Sequence, residues 1–477
     1  MLEDFINLRV LLIKPDNPNV YKHGPQASIV YPPLGLEYLA AYISDIAEVR
    51  IIDNRIKEIN LKDIEATTEE YQPDFVGISL NYSSQISMAR TIARIAKKHN
   101  SQTIVGGWHP TLAPNETLEF KSFDIVVRGE GEVTLRELLQ KGTPVGVLGL
   151  SYKQNGALIH NPDRELIDLK TIRAPSRQFR TPAANALYNF FGFPVDSIET
   201  GRGCPFSCNF CAIHHFYRKT YRRRTTRDII NELKSKEVDK RSNFIFVVDD
   251  NFVVNKKLVV ELCDAIVKTS IRKYFITQVR VDTIVRDPEV FEKMAEAGFF
   301  YLFLGIESFS NRTLTSLNKQ TEYNQIKSAI RILHDLGYII HGNIILGANI
   351  DDTKKDLEST IKIAGSLDID IPTFSLMTPF PGTELMRQAE RDDLLLTKDW
   401  NDYNWSVPVL RYPNLTSEDL SYYIKKATHD LTSFKKAMVG INRFIKNRGL
   451  NYHAARLSPI DLINMIFQIV KNVRTLL

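Results

Sequence analysis

The stretch GRGCPFSCNFCAIHH, residues 201–215, places three of the chain's four cysteines within eight residues. Cys204, Cys208 and Cys211 follow a C-x3-C-x2-C pattern directly after a predicted short strand. The short spacers let three thiolates converge on one inorganic cluster, since the Gly and Pro residues beside them permit tight turns. Three sulfurs leave one iron of a [4Fe-4S] cluster without a protein ligand. The pattern therefore predicts a cluster with one iron open to a further molecule.

A structural zinc site and three unrelated buried thiols are the alternatives for this stretch. Zinc would need a fourth ligand, which His214 or His215 could supply. The fourth cysteine, Cys263, stands alone in the amphipathic pattern KLVVELCDAIV and is predicted to be a packed thiol. Three clustered thiols in a long chain with so few cysteines favour metal binding over a disulfide framework.

Short apolar runs alternate with helical patterns on both sides of this stretch. The first series of runs lies at 8–14, 49–53, 74–80, 103–107 and 124–129, and the second at 197–200, 243–250, 274–280, 301–307, 341–348 and 373–379. Such alternation is typical of parallel sheets covered by helices. The first series predicts a doubly wound, Rossmann-like domain. The six units of the second series predict an open or partial barrel of the (βα)6 TIM type, with its active site at the carboxyl ends of the strands.

The predicted α/β chain has four parts. Residues 1–145 form the Rossmann-like domain, 146–195 a small hairpin and linker rich in Pro, Asn and Gly, 196–400 the partial barrel, and 401–477 a basic helical extension. The segment 456–477 has an amphipathic helical pattern that begins at a Ser-Pro pair. It would dock onto the barrel or contact anionic lipid at a membrane surface.

The composition is that of an ordinary globular protein: 477 residues, 43% apolar and 25% charged. No stretch reaches the roughly 18 uninterrupted apolar residues that a membrane-spanning helix needs. The N-terminus carries acidic residues before a short apolar run, unlike a secretory signal. We therefore expect a cytoplasmic protein, with peripheral membrane contact only if the terminal helix makes it.

With Phe210 before the last cysteine, the cysteine stretch resembles the signature of the radical S-adenosylmethionine (SAM) superfamily. The resemblance implies that Cys204, Cys208 and Cys211 are the catalytic and metal-binding residues, and that the open iron binds the amino and carboxylate groups of SAM. It also implies reductive cleavage of SAM to a 5'-deoxyadenosyl radical, which abstracts hydrogen from an unactivated carbon. A reductase, flavodoxin or ferredoxin would donate the electron.

Polar residues and a glycine at later strand ends fit that resemblance. Similar enzymes bind the ammonium, carboxylate, ribose and adenine parts of SAM at successive strand ends, and a carboxylate suits the ammonium cation. The corresponding positions are Asp249, Asp250 and Asn251 after the second strand, Gln278 and Arg280 after the third, Glu307 after the fourth and Gly347 after the fifth. Each position taken alone is equally well explained as a strand-end cap or an ion pair.

The first domain resembles the cobalamin-binding group of the same superfamily, and the resemblance spans nearly all of residues 1–400. It is carried by PPLGLEYLAAYI from Pro32, GISLNYSS from Gly77, GGWHPTLAPNETL from Gly106 and RGEGEVTLRELL from Arg128. Glycines at strand ends, among them Gly77, would let a corrin or its nucleotide tail approach the backbone. The implied cobalamin-binding residues are Ser79, Gly106, Gly107, His109, Thr111, Gly129 and Glu130.

The D-x-H-x-x-G motif, with which many cobalamin domains supply a lower axial histidine, is absent from the sequence. His109 is the only histidine in a suggestive loop, and such a residue more often packs or caps a turn. We therefore expect the lower face of the cobalt to be open or weakly ligated.

Together these features predict an enzyme that methylates an unactivated carbon of a small-molecule or lipid-like substrate with cobalamin. One alternative is a non-methylating outcome of the same radical, such as cyclisation, oxidation or carbon–carbon coupling on a lipid or tetrapyrrole. Another is a non-catalytic cobalamin or nucleic-acid binding protein with a structural metal site. The basic run Arg218–Arg227 is a weak nucleic-acid signal without a recognised binding fold, and we expect no nucleic-acid partner.

Overall fold

The computed structural model describes residues 8–15, 29–56, 59–180, 188–238, 242–431 and 434–448. The chain divides into two compact units, one comprising Met1–Pro18, Pro32–Leu187 and His215–Arg218, the other Asn19–Tyr31, Tyr188–His214 and Lys219–Leu477. The predicted amphipathic helix at 456–477 lies outside the described residues. Within the described ranges, every helix is too short or too polar to cross a bilayer.

The first unit is built on a seven-stranded sheet. Its strands are β1 (Arg9–Lys14), β3 (Glu48–Asp53), β4 (Phe75–Ser79), β5 (Gln102–Gly106), β6 (Ile125–Val127), β7 (Leu150–Gln154) and β8 (Ala157–His160). The strand order is β3-β1-β4-β5-β6-β7-β8. The first five strands are parallel, and the predicted hairpin of β7 and β8 continues the sheet in antiparallel fashion.

Helices connect the parallel strands of this sheet: α1 (Leu34–Ile43), α2 (Leu61–Tyr71), α3 (Ile86–Lys98), α4 (Trp108–Leu112), α5 (Pro114–Glu119) and α6 (Glu132–Lys141). Successive residues of the interior strand β1, such as Leu11 and Leu12, are fully buried. Successive side chains of a strand point to opposite faces, so both faces of the sheet are covered. The doubly wound prediction is confirmed.

The second unit is built on an eight-stranded sheet. Its strands are β2 (Ile29–Val30), β9 (Asn189–Phe190), β10 (Phe193–Ile198), β13 (Phe244–Val247), β14 (Tyr274–Arg280), β15 (Phe299–Glu307), β16 (Ile339–Leu346) and β17 (Ile371–Leu376). The order is β17-β16-β15-β14-β13-β10-β9-β2. The six strands from β10 to β17 are parallel and follow chain order, which confirms the predicted partial barrel. The sequence pattern did not indicate the two short antiparallel strands, β2 and β9.

The remaining elements of the described chain are mostly helical. They are the small ladder of β11 (Gly201–Arg202) and β12 (Arg222–Arg223), and the helices α7 (Ile213–Phe216), α8 (Thr226–Lys234), α9 (Lys256–Lys268), α10 (Val281–Arg286), α11 (Pro288–Ala297), α12 (Asn311–Ser316), α13 (Tyr323–Asp335), α14 (Lys354–Ser366), α15 (Glu384–Arg391), α16 (Ser417–Leu431) and α17 (Phe434–Arg448). The Thr225 side chain caps α8 by accepting from the backbone N–H of Asp228.

One turn of the first unit requires glycine. Gly107 joins β5 to α4 with a φ of +115°, in a region that essentially only glycine adopts. A Cβ at this position would lie 2.6 Å from the carbonyl oxygen of Leu80. The backbone at the end of β4 therefore packs directly against the start of this turn.

We expect Gly107→Ala to lower the free energy of unfolding by about 3 kcal/mol or more, because it adds backbone strain and a clash. The matched control is Gly156→Ala in the hairpin turn, where φ is +81° and nothing lies within 4 Å of the added methyl. That control should cost only about 1–2 kcal/mol. Urea unfolding followed by far-UV circular dichroism checks both values, and equal costs would contradict the packing argument.

Candidate functional site

The three clustered cysteines lie in a loop between β10 and α7. Side chains of two asparagines tether this loop to the turn that ends α12. The Nδ2 of Asn209 donates to the carbonyl of Ser316 at 2.7 Å, and the Nδ2 of Asn318 donates to the carbonyl of Ser207 at 2.8 Å. Inside the loop, the backbone N–H of Cys211 donates to the carbonyl of Cys208 at 3.1 Å. The loop thus has a defined shape without regular secondary structure.

Burial makes two thiols of this loop, those of Cys204 and Cys211, weaker acids. It raises the pKa of Cys204, and it raises the pKa of Cys211 to about 12, with a further rise from the neighbouring Cys208 and Cys204 sulfurs. A metal that binds these thiols must displace their protons, as thiolate ligation requires.

In the described part of the chain, no three His, Cys, Asp or Glu side chains converge on a point where one metal ion could sit. This geometry does not support the zinc alternative with His214 or His215. Three free thiols in one short loop are the donor set that a three-cysteine cluster would require.

The three residues after β13 make different contacts, although they are adjacent in sequence. Asp249 is buried and accepts hydrogen bonds from the backbone N–H of Thr200, at 2.7 Å, and from its hydroxyl. Asp250 accepts from the backbone N–H of Gly203, directly before Cys204, at 3.0 Å. Burial raises the pKa of Asp250 to about 7. Asp249 therefore ties two strand ends together, whereas Asp250 lies against the cysteine loop.

Asn251 and Arg280 reach the cysteine sulfurs directly. The Nδ2 of Asn251 lies 4.0 Å from the Sγ of Cys204, and the Nη1 of Arg280 lies 3.7 Å from the Sγ of Cys208. Both distances suit weak hydrogen bonds to sulfur. The predicted strand-end residues of β13 and β14 thus meet the predicted cysteine ligands.

Glu307, at the end of β15, pairs with a lysine that sequence reasoning missed. Its carboxylate accepts from the Nζ of Lys319 at 2.6 Å, and its backbone φ is +64°. A Cβ at Gly305 would lie 2.8 Å from this carboxylate and 2.9 Å from the Nζ of Lys319. Gly305 therefore leaves the space in which the ion pair sits. Lys319 follows a short helix in a turn, where no sequence pattern marks it.

Gly347 follows β16 and lies against a buried tyrosine. Its φ is +67°, and its carbonyl accepts from the hydroxyl of Tyr412 at 2.6 Å. A Cβ at Gly347 would lie 2.8 Å from that hydroxyl oxygen. The Gly347 carbonyl is therefore hydrogen-bonded to Tyr412, which the sequence pattern did not single out.

One face of the second unit's sheet is open near the carboxyl ends of the strands. We call this the inner face; its residues are Gln278, Phe303, Gly305, Asn343, Ile345, Thr373 and Ser375, which are exposed or partly exposed while the residues between them are buried. Register places Arg280, Gly305, Asn343 and Thr373 side by side across four strands. The inner face thus presents amides, hydroxyls and apolar groups next to Arg280.

A buried histidine lies below the inner face. The hydroxyl of Tyr301 lies 2.8 Å from the Nδ1 of His341, whose Nε2 contacts the hydroxyl of Thr373. Burial lowers the pKa of His341 to about 3, so its ring is neutral at physiological pH. The inner face consequently receives no charge from this histidine.

Most of the predicted cobalamin residues gather at the carboxyl ends of β4, β5 and β6. The hydroxyl of Thr111 donates to the carbonyl of Gly107 at 2.7 Å and accepts from the backbone N–H of Gly129 at 3.0 Å. Ser79 and Gly106 end β4 and β5, and their backbones pair. The Ser79 hydroxyl lies 3.4 Å from the Oδ1 of Asn81.

Three residues of the first unit that the sequence singled out are buried. Gly77 lies inside β4 and not at its end, and a Cβ there would meet Leu12 at 2.8 Å, so strand packing explains the glycine. The buried carboxylate of Glu130 accepts from the backbone N–H of Ile167 at 2.7 Å. His109 is 2% exposed.

His109 is held inside the first unit and is not presented to solvent. Its Nδ1 lies 2.9 Å from the hydroxyl of Ser83. Burial lowers its pKa to about 4. These contacts are those of a packed, neutral histidine.

The basic run Arg218–Arg227 is partly built into the second unit. Arg223 and Arg224 are buried, and Arg224 pairs with the buried Glu232. The Nη1 of Arg224 also donates to the carbonyl of Glu199 at 2.9 Å. Buried arginines cannot bind phosphates on a surface, and these contacts therefore weaken the nucleic-acid interpretation.

Comparison with known proteins agrees with this arrangement. A B12 binding domain model matches residues 27–139, and a Radical SAM superfamily model matches residues 198–364. An uncharacterized methyltransferase of Pyrococcus horikoshii is 35% identical over 428 residues, which cover 88% of this chain and 91% of the relative.

Two further relatives have named activities. The anaerobic magnesium-protoporphyrin IX monomethyl ester cyclase of Rubrivivax gelatinosus is 27% identical and covers 85% of this chain and 74% of its own. The hopanoid C-3 methylase of Methylococcus capsulatus is 27% identical, with coverages of 79% and 72%. The solved cobalamin-dependent SAM radical enzyme OxsB, with aqua-cobalamin and SAM bound, shares the fold with a TM-score of 0.72 at 18% identity, covering 99% of this chain and 79% of its own.

We expect Cys208→Ala to prevent cluster assembly, because two thiolates from this loop cannot hold a cubane that needs three. After anaerobic reconstitution, the variant should retain less than about a tenth of the iron and sulfide of the unchanged protein. Cys263→Ala is the matched control, since this cysteine is buried in α9. Iron analysis and visible absorption check the result, and similar iron losses in both variants would contradict the ligand assignment.

Proposed function

The chain belongs to the B12-binding radical SAM family, and from this membership we propose that it methylates an unactivated carbon of a small-molecule or lipid-like substrate. When bound, the cluster and SAM supply the hydrogen-abstracting radical, and cobalamin supplies the methyl group. One observation carries the proposal: a cysteine loop that fits a cluster is contacted by polar strand-end residues of its barrel, in a chain that also has a B12-binding unit.

The contacts suggest a division of roles among the strand-end residues. Cys204, Cys208 and Cys211 would hold the cluster, and Asp250 would face the ammonium group of SAM. Asp249 would act through Thr200 by fixing the strand ends, because both of its oxygens already accept hydrogen bonds. Gln278, which is exposed on the inner face, would contact SAM or substrate. The proposed domain boundaries remain 1–145, 146–195, 196–400 and 401–477.

The inner face favours a largely uncharged substrate. Its side chains offer the neutral polar groups of Gln278, Asn343, Thr373 and Ser375 beside the apolar Phe303 and Ile345. A polycyclic lipid, as for the hopanoid methylase relatives, would satisfy this mixture. The second candidate is a radical cyclisation of a tetrapyrrole, which the two cyclase relatives favour. A flavodoxin, ferredoxin or their reductase would supply the electron.

Anaerobic turnover with methyl-labelled SAM tests the proposal. The reconstituted protein receives cobalamin, a reductant, and either a pentacyclic triterpenoid or a magnesium porphyrin ester. We expect labelled methyl in the organic product together with 5'-deoxyadenosine, and neither with Cys208→Ala. Formation of 5'-deoxyadenosine with an altered but unlabelled tetrapyrrole would instead establish the cyclase candidate.

We further expect His109→Gln to leave the environment of bound cobalamin unchanged, because the imidazole is buried and contacts Ser83. Electron paramagnetic resonance of the cob(II)alamin form reports a lower nitrogen ligand as superhyperfine splitting. Neither the unchanged protein nor the variant should show that splitting. Splitting that is present in the unchanged protein and lost in the variant would make His109 the axial ligand.

A further inference from the structure

We propose that Arg280 is a positioning residue for the cluster: its guanidinium holds the sulfur of Cys208 and makes the cluster easier to reduce. The inference rests on the proposed function, because it requires the cysteine loop to carry a [4Fe-4S] cluster. It assigns to Arg280 a role different from the SAM contact that the sequence resemblance implies.

Every nitrogen of the Arg280 guanidinium has a protein partner. The Nε donates to the Oδ1 of Asp282 at 2.7 Å, the Nη2 donates to the carbonyl of Lys319 at 2.6 Å, and the Nη1 lies 3.7 Å from the Sγ of Cys208. The Arg280 side chain is 8% exposed. Three partners in three directions fix the guanidinium in its plane, so its orientation toward the sulfur is set before any ligand binds.

The cysteine loop itself contributes to this fixation. The ring of Phe206, between the first two cysteines, lies under the guanidinium, with 3.6 Å between the Arg280 Cζ and the ring centroid. A guanidinium over an aromatic face is attracted by the ring quadrupole, most strongly where water is excluded. Arg280 therefore holds the loop at two points, the Phe206 ring and the Cys208 sulfur.

These contacts bear on the charge of the cluster. Three thiolates give an oxidised [4Fe-4S]²⁺ cluster a net charge of −1, and one-electron reduction makes it −2. Hydrogen bonds to the sulfurs and nearby positive charge favour the reduced state. The ammonium of Lys319 interacts electrostatically with Cys208 as well.

Two carboxylates balance these cations. Asp282 pairs with Arg280, and Glu307 pairs with Lys319. These two cations and two carboxylates together carry no net charge. Arg280 differs from Lys319 in that its Nη1 lies within hydrogen-bond distance of the Cys208 sulfur. Loss of Arg280 would remove this donor and leave Asp282 without its cation. Both changes disfavour an added electron on the cluster.

The decisive measurement is the midpoint potential of the reconstituted cluster in the absence of SAM. We expect Arg280→Met to lower the ratio of reduced to oxidised cluster at a fixed potential about tenfold, which is about 59 mV for a one-electron couple. Arg280→Lys, which keeps the charge but not the three-way geometry, should give a smaller decrease. The potential is measured by redox titration with electron paramagnetic resonance detection.

A second test variant keeps the experiment decisive if Arg280→Met fails to load a cluster, and a further variant serves as a control. Phe206→Leu removes the ring under the guanidinium and should lower the ratio about threefold. Arg312→Met is the control, because Arg312 is 77% exposed in α12 and pairs with Asp351. It should leave the ratio unchanged.

An unchanged potential in the SAM-free Arg280 and Phe206 variants would overturn the inference. If SAM affinity then fell in Arg280→Met, Arg280 would instead be a SAM ligand. Failure of the unchanged protein to assemble any reducible cluster is a separate result, because it would overturn the proposed function. The two failures are therefore distinguishable from the same set of samples.

Discussion

The cysteine loop has almost no regular structure, and polar groups from the neighbouring strand ends hold it in shape. Gly203 donates to Asp250, the Cys208 sulfur meets Arg280, and the loop backbone accepts from Asn318. Asp250 lies just after β13, Arg280 ends β14, and Asn318 lies in the turn after α12. The parallel sheet therefore acts as the template for the loop, because the carboxyl ends of parallel strands meet at one edge.

This dependence explains why several buried charges are retained beside the cysteines. Burying a charge without a partner is costly, whereas a paired and hydrogen-bonded charge can be accommodated. Asp249 accepts a hydrogen bond from the backbone N–H of Thr200, just after β10. Lys319 pairs with the carboxylate of Glu307, a residue whose backbone φ is positive. The pairs at these strand ends fix local geometry, which is a separate contribution from any contact with a bound cofactor.

The parallel strands of both sheets could be predicted from the sequence because most of their residues are buried and each strand reads as a short apolar run. The predicted run at 274–280 is the observed β14, and the predicted run at 301–307 lies within β15. The two-residue strands Ile29–Val30 and Asn189–Phe190 could not be predicted. They are too short to show a period, and a tertiary pairing defines them.

The site residues likewise fall into those that a local sequence pattern marks and those that only distant contacts define. The cysteine spacing is local information, so the pattern marks Cys204, Cys208 and Cys211 by itself. The roles of Asp249 and Asp250 differ only through their distant partners, Thr200 and Gly203, and no local pattern encodes that difference. Lys319 was missed for the same reason, because it becomes part of the site only through Glu307 and Arg280.

The buried histidine below the inner face shows how the core of the second unit also determines the polarity of the open face above it. Among the described residues, the Tyr301 hydroxyl has one hydrogen-bond partner, the Nδ1 of His341, and burial raises the pKa of this tyrosine well above its usual value. The phenol therefore keeps its proton, and this buried O–H is satisfied when it donates to Nδ1. That assignment gives the neutral ring its hydrogen on Nε2, which then donates to Thr373. In that assignment the Thr373 oxygen accepts from the ring, and its own O–H remains a neutral donor. A neutral donor at that position suits an uncharged acceptor oxygen on a bound molecule better than it suits a cation.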